Sequence, residues 1–176
     1  MKPGDLYLTC RRSAHRLEVQ QRYIVGEDEP RMRAVLTGAP LPPPGPAKRE
    51  TIEVLSRLRR QGKRLARVHV VDRPLTDYLR YELVVYRENV EAGEGVHIVD
   101  RATDPRLADL RRDFVIFDGG TERAQVVWFD YDTDGRLLGY EHSTDPNVAA
   151  ACWRQYRLAE SVAASLQEFM TTTGTV

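Results

Sequence analysis

The densest collection of side chains able to do chemistry lies in RVHVVDRPLTDYLRYE, between Arg67 and Glu82. Arg67 and His69 alternate with apolar residues, so a strand projects both from its polar face. At helical spacing in the segment that follows, Asp77, Arg80 and Tyr81 share one strip, and Tyr78 and Glu82 form an i,i+4 pair on the next. A glutamate facing a histidine, as Glu82 faces His69 in this arrangement, is equipment for proton transfer. The same residues with their arginines and tyrosines also suit recognition of a partner. In an open α/β sheet, ligands sit beyond the carboxyl end of such a strand. Arg67, His69, Arg73, Asp77, Tyr78, Arg80, Tyr81 and Glu82 are therefore the candidate ligand- or partner-binding set. The competing reading is a salt-bridged, solvated helix face.

Other motifs carry less. Asp130, Asp132 and Asp134, with Gly135 and Glu141, match the calcium-loop pattern D-x-D-x-D-G-x5-E. However, that loop joins two helices, whereas here AQVVWF precedes it and RLLGY follows it. An Asp-Gly turn between two strands is the expected structure, with calcium as the minor alternative and no resident metal or cofactor expected. His15, His69, His97 and His142 lack zinc spacing. No phosphate-binding glycine loop or G-x-S-x-G elbow occurs.

The elements that must position these residues are legible from periodicity. GAPLPPPGPAK (38–48) reads as an extended connector, since proline fixes φ and lacks the N–H. It divides an arm and connector over residues 1–47 from an α/β core over 48–176. Within the arm, DEPRMRAVLT (28–37) reads as a short helix closed by Gly38. In the core, Ile52, Leu55 and Leu58 mark a helix stopped by Gly62. Ala66, Val68 and Val70 mark a half-buried strand. Asp72 and Pro74 open a helix with its stripe at Leu75, Tyr78, Leu79, Leu83 and Tyr86. Residues 96–99 form a short strand, 104–110 a helical turn, and DFVIFD a strand buried on both faces. A hairpin follows, and Asp145-Pro146 starts one long helix whose stripe runs from Val148 to Met170. The fold class is α/β, a mixed sheet flanked by helices.

The chain has 176 residues and a formal net charge of zero, with 26 basic and 26 acidic side chains. Eight basic residues stand against two glutamates between Lys48 and Arg67, but Arg57, Arg60 and Arg64 form one solvated stripe without aromatic residues. Direct nucleic-acid binding is thus not expected. No apolar run is long enough for a membrane span, and no secretory signal is visible, so a cytoplasmic location is expected. Cys10 and Cys152 match no metal or redox spacing and are expected to be reduced.

Two resemblances add to this reading. Arg111, Asp113 and Asp118 in RRDFVIFDGG occupy the spacing H-x-K-x4-D-G, and the segment resembles a phospholipase D half-domain. In that superfamily histidine is the nucleophile and lysine clamps the phosphate. An arginine that stays protonated and an aspartate that repels phosphate do neither job. More broadly, SAHRLEVQQRY, RVHVVDRPLTDYLRYEL, NVEAGEGVHIVD, DFVIFD and YDTDGRLLGYEHSTDP resemble an actinobacterial family of uncharacterised single-domain proteins, often encoded near helix-turn-helix regulators. That resemblance implies an accessory or regulatory role and supplies no catalytic residues. The expected function is a non-enzymatic regulatory or interaction protein on a catalytically degenerate phospholipase D-like domain. Its partner would be a protein, such as a helix-turn-helix regulator, and it could pair as a homodimer through the sheet edge or the terminal helix. The alternative is a small enzyme using a Glu/His proton-transfer pair.

Overall fold

Both faces of β1 (Ser13–Glu18) are buried, because this strand lies in the middle of the sheet rather than in a peripheral arm. The structure, a computed structural model, describes residues 3–24 and 26–174. β2 (Arg64–Val71) and β3 (Gly95–Asp100) run parallel to β1 on one side. On the other side β4 (Asp113–Phe117), β5 (Gln125–Tyr131) and β6 (Leu137–Ser143) follow antiparallel. A two-residue β7 (Ala164–Ser165) closes the far edge, and the order is β6-β5-β4-β1-β2-β3-β7. The expected boundary between residues 47 and 48 therefore does not separate two packing units: pairing partners for β1 come from residues 64–69 and 114–117.

Among the described residues six α-helices surround the sheet: α1 (Pro3–Thr9), α2 (Glu29–Thr37), α3 (Pro46–Arg60), α4 (Asp77–Ala92), α5 (Pro146–Val162) and α6 (Leu166–Thr173). Leu17, Val68, Phe114, Ile116 and Val126 pack on one face against Ala149, Cys152, Tyr156 and Ala159 of α5. The stripe of the terminal helix is thus core. Cys10 and Cys152 are both free and buried, in different clusters.

The opposite face is divided. Along β2, Leu65 joins a cluster with Leu6, Leu55 and Leu58, while Val71 joins another with Leu79, Leu83, Leu166 and Phe169. Arg67 and His69 fall between the two on the same face of the strand. β2 is consequently buried on both faces, whereas its alternation suggests one solvated face; Tyr86 and Glu82 of α4 cover its polar side chains.

Three element boundaries differ from the sequence reading. α3 begins inside the proline-rich stretch, with Pro46 in its first turn where a missing N–H costs nothing. α4 starts at Asp77 rather than near Asp72, because the Thr76 hydroxyl accepts from Leu79 N at 3.1 Å and caps it. The terminal helix breaks after Val162. Ser165 and Glu168 then form a reciprocal capping box that opens α6.

His15 is 3% exposed on the α5 face, with ring centroids of Trp153 and Tyr156 each 5.0 Å away and neither ring nitrogen hydrogen-bonded. Burial, helped by the Arg64 charge, lowers its pKa from 6.5 to about 4. Between those values the unfolded chain takes up the proton and the folded chain does not, so stability falls as pH drops below about 6.5. Urea unfolding midpoints at pH 7 and pH 4.5 should differ less for His15→Phe than for the wild type. The variant should also gain roughly 1 kcal/mol at pH 7 by removing unpaired polar atoms from the core.

Candidate functional site

The parallel register of β1 and β2 sets Arg16 beside Arg67 and Glu18 beside His69, all on the divided face. Two guanidiniums side by side repel, and the Glu18 carboxylate relieves this by lying 2.9 Å from Arg16 Nε and 2.8 Å from Arg67 Nη1. Arg67 also reaches Glu94 through Nε at 3.3 Å. Glu94 accepts from Asn89 Nδ2 at 2.6 Å, and Gly93 makes that approach possible. Gly93 holds φ at 103°, and a Cβ there would lie 2.2 Å from the Arg59 side chain. Tyr86 of α4 donates to Glu18 Oε2 at 2.7 Å. Burial works against the charge of Glu18, but Arg16, Arg67 and His69 together hold its carboxyl far below the usual range.

The protonation of His69 follows from hydrogen-bond accounting. Nε2 lies 2.8 Å from the Gln20 carbonyl and must donate to it. Nδ1 lies 3.0 Å from the Tyr86 hydroxyl, whose single proton is already given to Glu18. Nδ1 must therefore carry a proton too, and Glu82 Oε2 stands 3.3 Å away to balance the imidazolium. Burial disfavours this cation, but Glu82 first, then Glu18 and the Gln20 carbonyl, outweigh it and raise the pKa to about 9. Three cations (Arg16, Arg67, His69) thus face three carboxylates (Glu18, Glu82, Glu94). Glu18, His69 and Glu82 also place one potential ligand atom each within 4.8 Å of one another, the spacing of a metal site. A divalent ion there would displace the Nδ1 proton and face two guanidiniums, so the arrangement favours the imidazolium over a metal.

Above this network lies a pocket of about 360 Å³, open on one side and lined by Tyr23, Tyr78, Tyr81, Tyr86 and Tyr131 together with charged side chains. Its roof comes from the segment before α2. Ile24 N donates to Gly135 O at 2.9 Å, tying that segment to the β5–β6 turn. Gly135 has φ of 87°, and a Cβ there would lie 2.2 Å from Arg22 O, so the turn needs glycine to seat against the chain. Tyr23 joins the walls, with ring centroids 5.7 Å from Tyr78 and 5.1 Å from Tyr131. Glu27 accepts from the backbone N–H groups of Ala47 and Lys48 and fixes the start of α3 at the rim.

The structure divides the eight candidate residues. Arg67, Tyr78, Tyr81 and Glu82 line the pocket, with His69 beneath it. Arg73, Asp77 and Arg80 are exposed, Arg73 pairing with Asp100 and Arg80 with Asp77. The eight therefore do not form one recognition surface: α4 turns its Tyr78/Glu82 strip inward and its Asp77/Arg80 strip to solvent. Arg16, Glu18, Tyr23, Tyr86 and Asn89 belong to the site and escape the sequence reading. The alternation of Arg16 and Glu18 in SAHRLE was their available signal; Tyr86 reads as an apolar stripe member.

The remaining motif residues hold the scaffold. Asp113 is fully buried and accepts from Val19 N at 2.8 Å and from the Tyr23 hydroxyl. Asp118, at φ of 52°, accepts from the backbone N–H groups of Arg11, Arg12 and Ser13, while Arg111 is exposed. In the calcium-like loop the four carboxylates do not converge. Asp130 and Glu141 both pair with Arg112 at 2.9 Å, Asp132 accepts from the N–H groups of Asp134 and Arg136, and Asp134 is exposed. This is the hairpin turn, closed on itself.

A family model described as a domain of unknown function, DUF6879, matches residues 2–171. The chain belongs to that family. No curated protein matches it. The match spans every strand of the DUF6879 sheet and every residue of the ionic network. None of its helices, among the described residues, is long and apolar enough to cross a membrane.

Two outcomes test this site. A group whose folded pKa is raised stabilises the fold at low pH, so the His69 contribution is complete below about pH 6.5 and lost as pH rises through about 9. Urea titrations across that range should show a loss of roughly 3 kcal/mol in the wild type and a flatter profile in His69→Gln. Asp118→Ala, which strips the acceptor from three N–H groups, should cost about 2 kcal/mol in the same unfolding series.

Proposed function

We propose that this domain is a non-enzymatic regulatory module that binds a small polar molecule in the pocket over β1 and β2. The observation that carries this reading is the pocket itself: about 360 Å³ with aromatic walls, set on a buried floor of balanced charges. Buried ionic networks contribute little net stability compared with apolar packing, so retaining one beneath a cavity favours a role in recognition. Binding would hold Tyr23 against Tyr78 of α4, and a partner that prefers the occupied state would read the occupancy as a population shift. A phospholipase D-like scaffold fits this proposal in its degenerate form, since Asp113 and Asp118 are engaged by backbone N–H groups. The proposed partner is a protein, the helix-turn-helix regulator implied by the family resemblance. The exposed Leu137, Leu138 and Tyr140 of edge strand β6 support contact with such a partner or with a second copy.

One observation favours a second reading. Glu82 and His69 lie 3.3 Å apart beneath the pocket, which suits a proton-transfer enzyme. Native mass spectrometry of the protein incubated with a polar metabolite extract separates the two. A small molecule retained by the wild type, lost in the pocket-filling Thr51→Trp variant and recovered unchanged supports the module. Conversion of that molecule by the wild type but not by Glu82→Gln supports the enzyme. Thr51 is exposed on α3 at the pocket wall, so its replacement leaves the core intact.

A further inference from the structure

Asp28 holds the N-cap position of α2, yet its side chain makes no capping hydrogen bond. Aspartate at that position ordinarily accepts from the helix's free N–H groups. Here Asp28 instead lines the pocket together with Tyr81. Burial raises the Asp28 pKa despite the nearby Tyr81 hydroxyl and the Lys48 and Arg31 charges. At the floor, Arg16 presents the opposite case. Its Nε faces Glu18 and its guanidinium lies 5.2 Å over the Phe129 ring. Among the described residues no carboxylate or carbonyl accepts from its terminal nitrogens. The Tyr131 hydroxyl, on the same wall, is also without a protein partner there.

One pocket therefore offers the open guanidinium nitrogens of Arg16 at its floor and the Asp28 carboxylate, free of any capping bond, at its rim. The network between them is already neutral, three cations against three carboxylates, so a ligand of net charge would unbalance it in a poorly hydrated space. An anion drawn to Arg16 must bring its own cation for Asp28. The spaces between are apolar, formed by Ile24, Val85 and the tyrosine rings. Resting on the reading of this pocket as a ligand site, the geometry points to a small zwitterion of the amino-acid class, its carboxylate on Arg16 and Tyr131 and its ammonium on Asp28.

The test is a thermal-shift and calorimetric series with the full chain. The probes are L-leucine, L-phenylalanine and the unbranched amino acids from glycine to 6-aminohexanoate. Each is compared with its N-acetyl and its amide form, and with nucleosides, sugars and simple carboxylates. A zwitterion should raise the melting midpoint by roughly 5 °C at hundredfold excess over its Kd. Blocking either terminus should weaken binding about tenfold or more. Asp28→Asn, which keeps the shape and removes the charge, should weaken the zwitterion and leave its N-acetylated form, which carries no ammonium, unaffected. Arg16→Lys is a second variant that preserves a cation for Glu18, and the blocked probes need no variant at all. Binding only of singly charged or uncharged probes would overturn the zwitterion assignment and leave the ligand site standing. Binding of no probe, together with an empty pocket by native mass spectrometry, would overturn both.

Discussion

A carboxylate buried in the centre of a sheet needs compensation from several directions at once, and Glu18 receives it from three secondary-structure elements. Arg16 comes from its own strand, Arg67 and His69 from β2, and the Tyr86 hydroxyl from α4. Removing any one partner leaves charge uncompensated in a low-dielectric interior, a loss on the order of 3–5 kcal/mol. The network therefore fixes the β1–β2 register and the seat of α4 more tightly than apolar packing alone. A one-residue slip of β1 would send Arg16 and Glu18 to the α5 face and bring His15 and Leu17 across.

That constraint explains the arrangement of the divided face. Apolar clusters stand at both ends of β2 and hold α3 and α6 against the sheet. Between them the ionic strip cannot be sealed by aliphatic side chains without stranding its polar atoms. It is covered instead by tyrosines, which present an apolar ring and a hydroxyl together. The tyrosine rings meet edge-on across α4, β5 and the roof segment, and the pocket is the space they leave. The buried Asp113 extends the same logic, anchoring the Tyr23 ring from β4.

Much of the fold was legible because it rests on local rules. The strands at residues 96–99 and 113–117, the hairpin and its Asp-Gly turn, and the short helix before Gly38 follow from alternation, turn chemistry and glycine stops. The errors came where a side chain overrode the average signal. Thr76 capped α4 later than Asp72 and Pro74 suggest, and Ser165 with Glu168 restarted a helix where the stripe alone reads as continuous. The α4 half of the site was legible from helical spacing. Arg16 and Glu18 were hidden because the chain before the proline-rich connector reads as peripheral.

By itself the sequence determined the α/β class, the pairing of Tyr78 with Glu82 on one strip of α4, and a hairpin rather than a calcium loop, since each depends on neighbours within a few residues. The tertiary structure decided that β1 is central, that His69 is an imidazolium and that a pocket exists. Those outcomes depend on which strands pair and in what register. Burial and charge balance are properties of groups brought together from distant parts of the chain, 49 residues apart for Glu18 and Arg67.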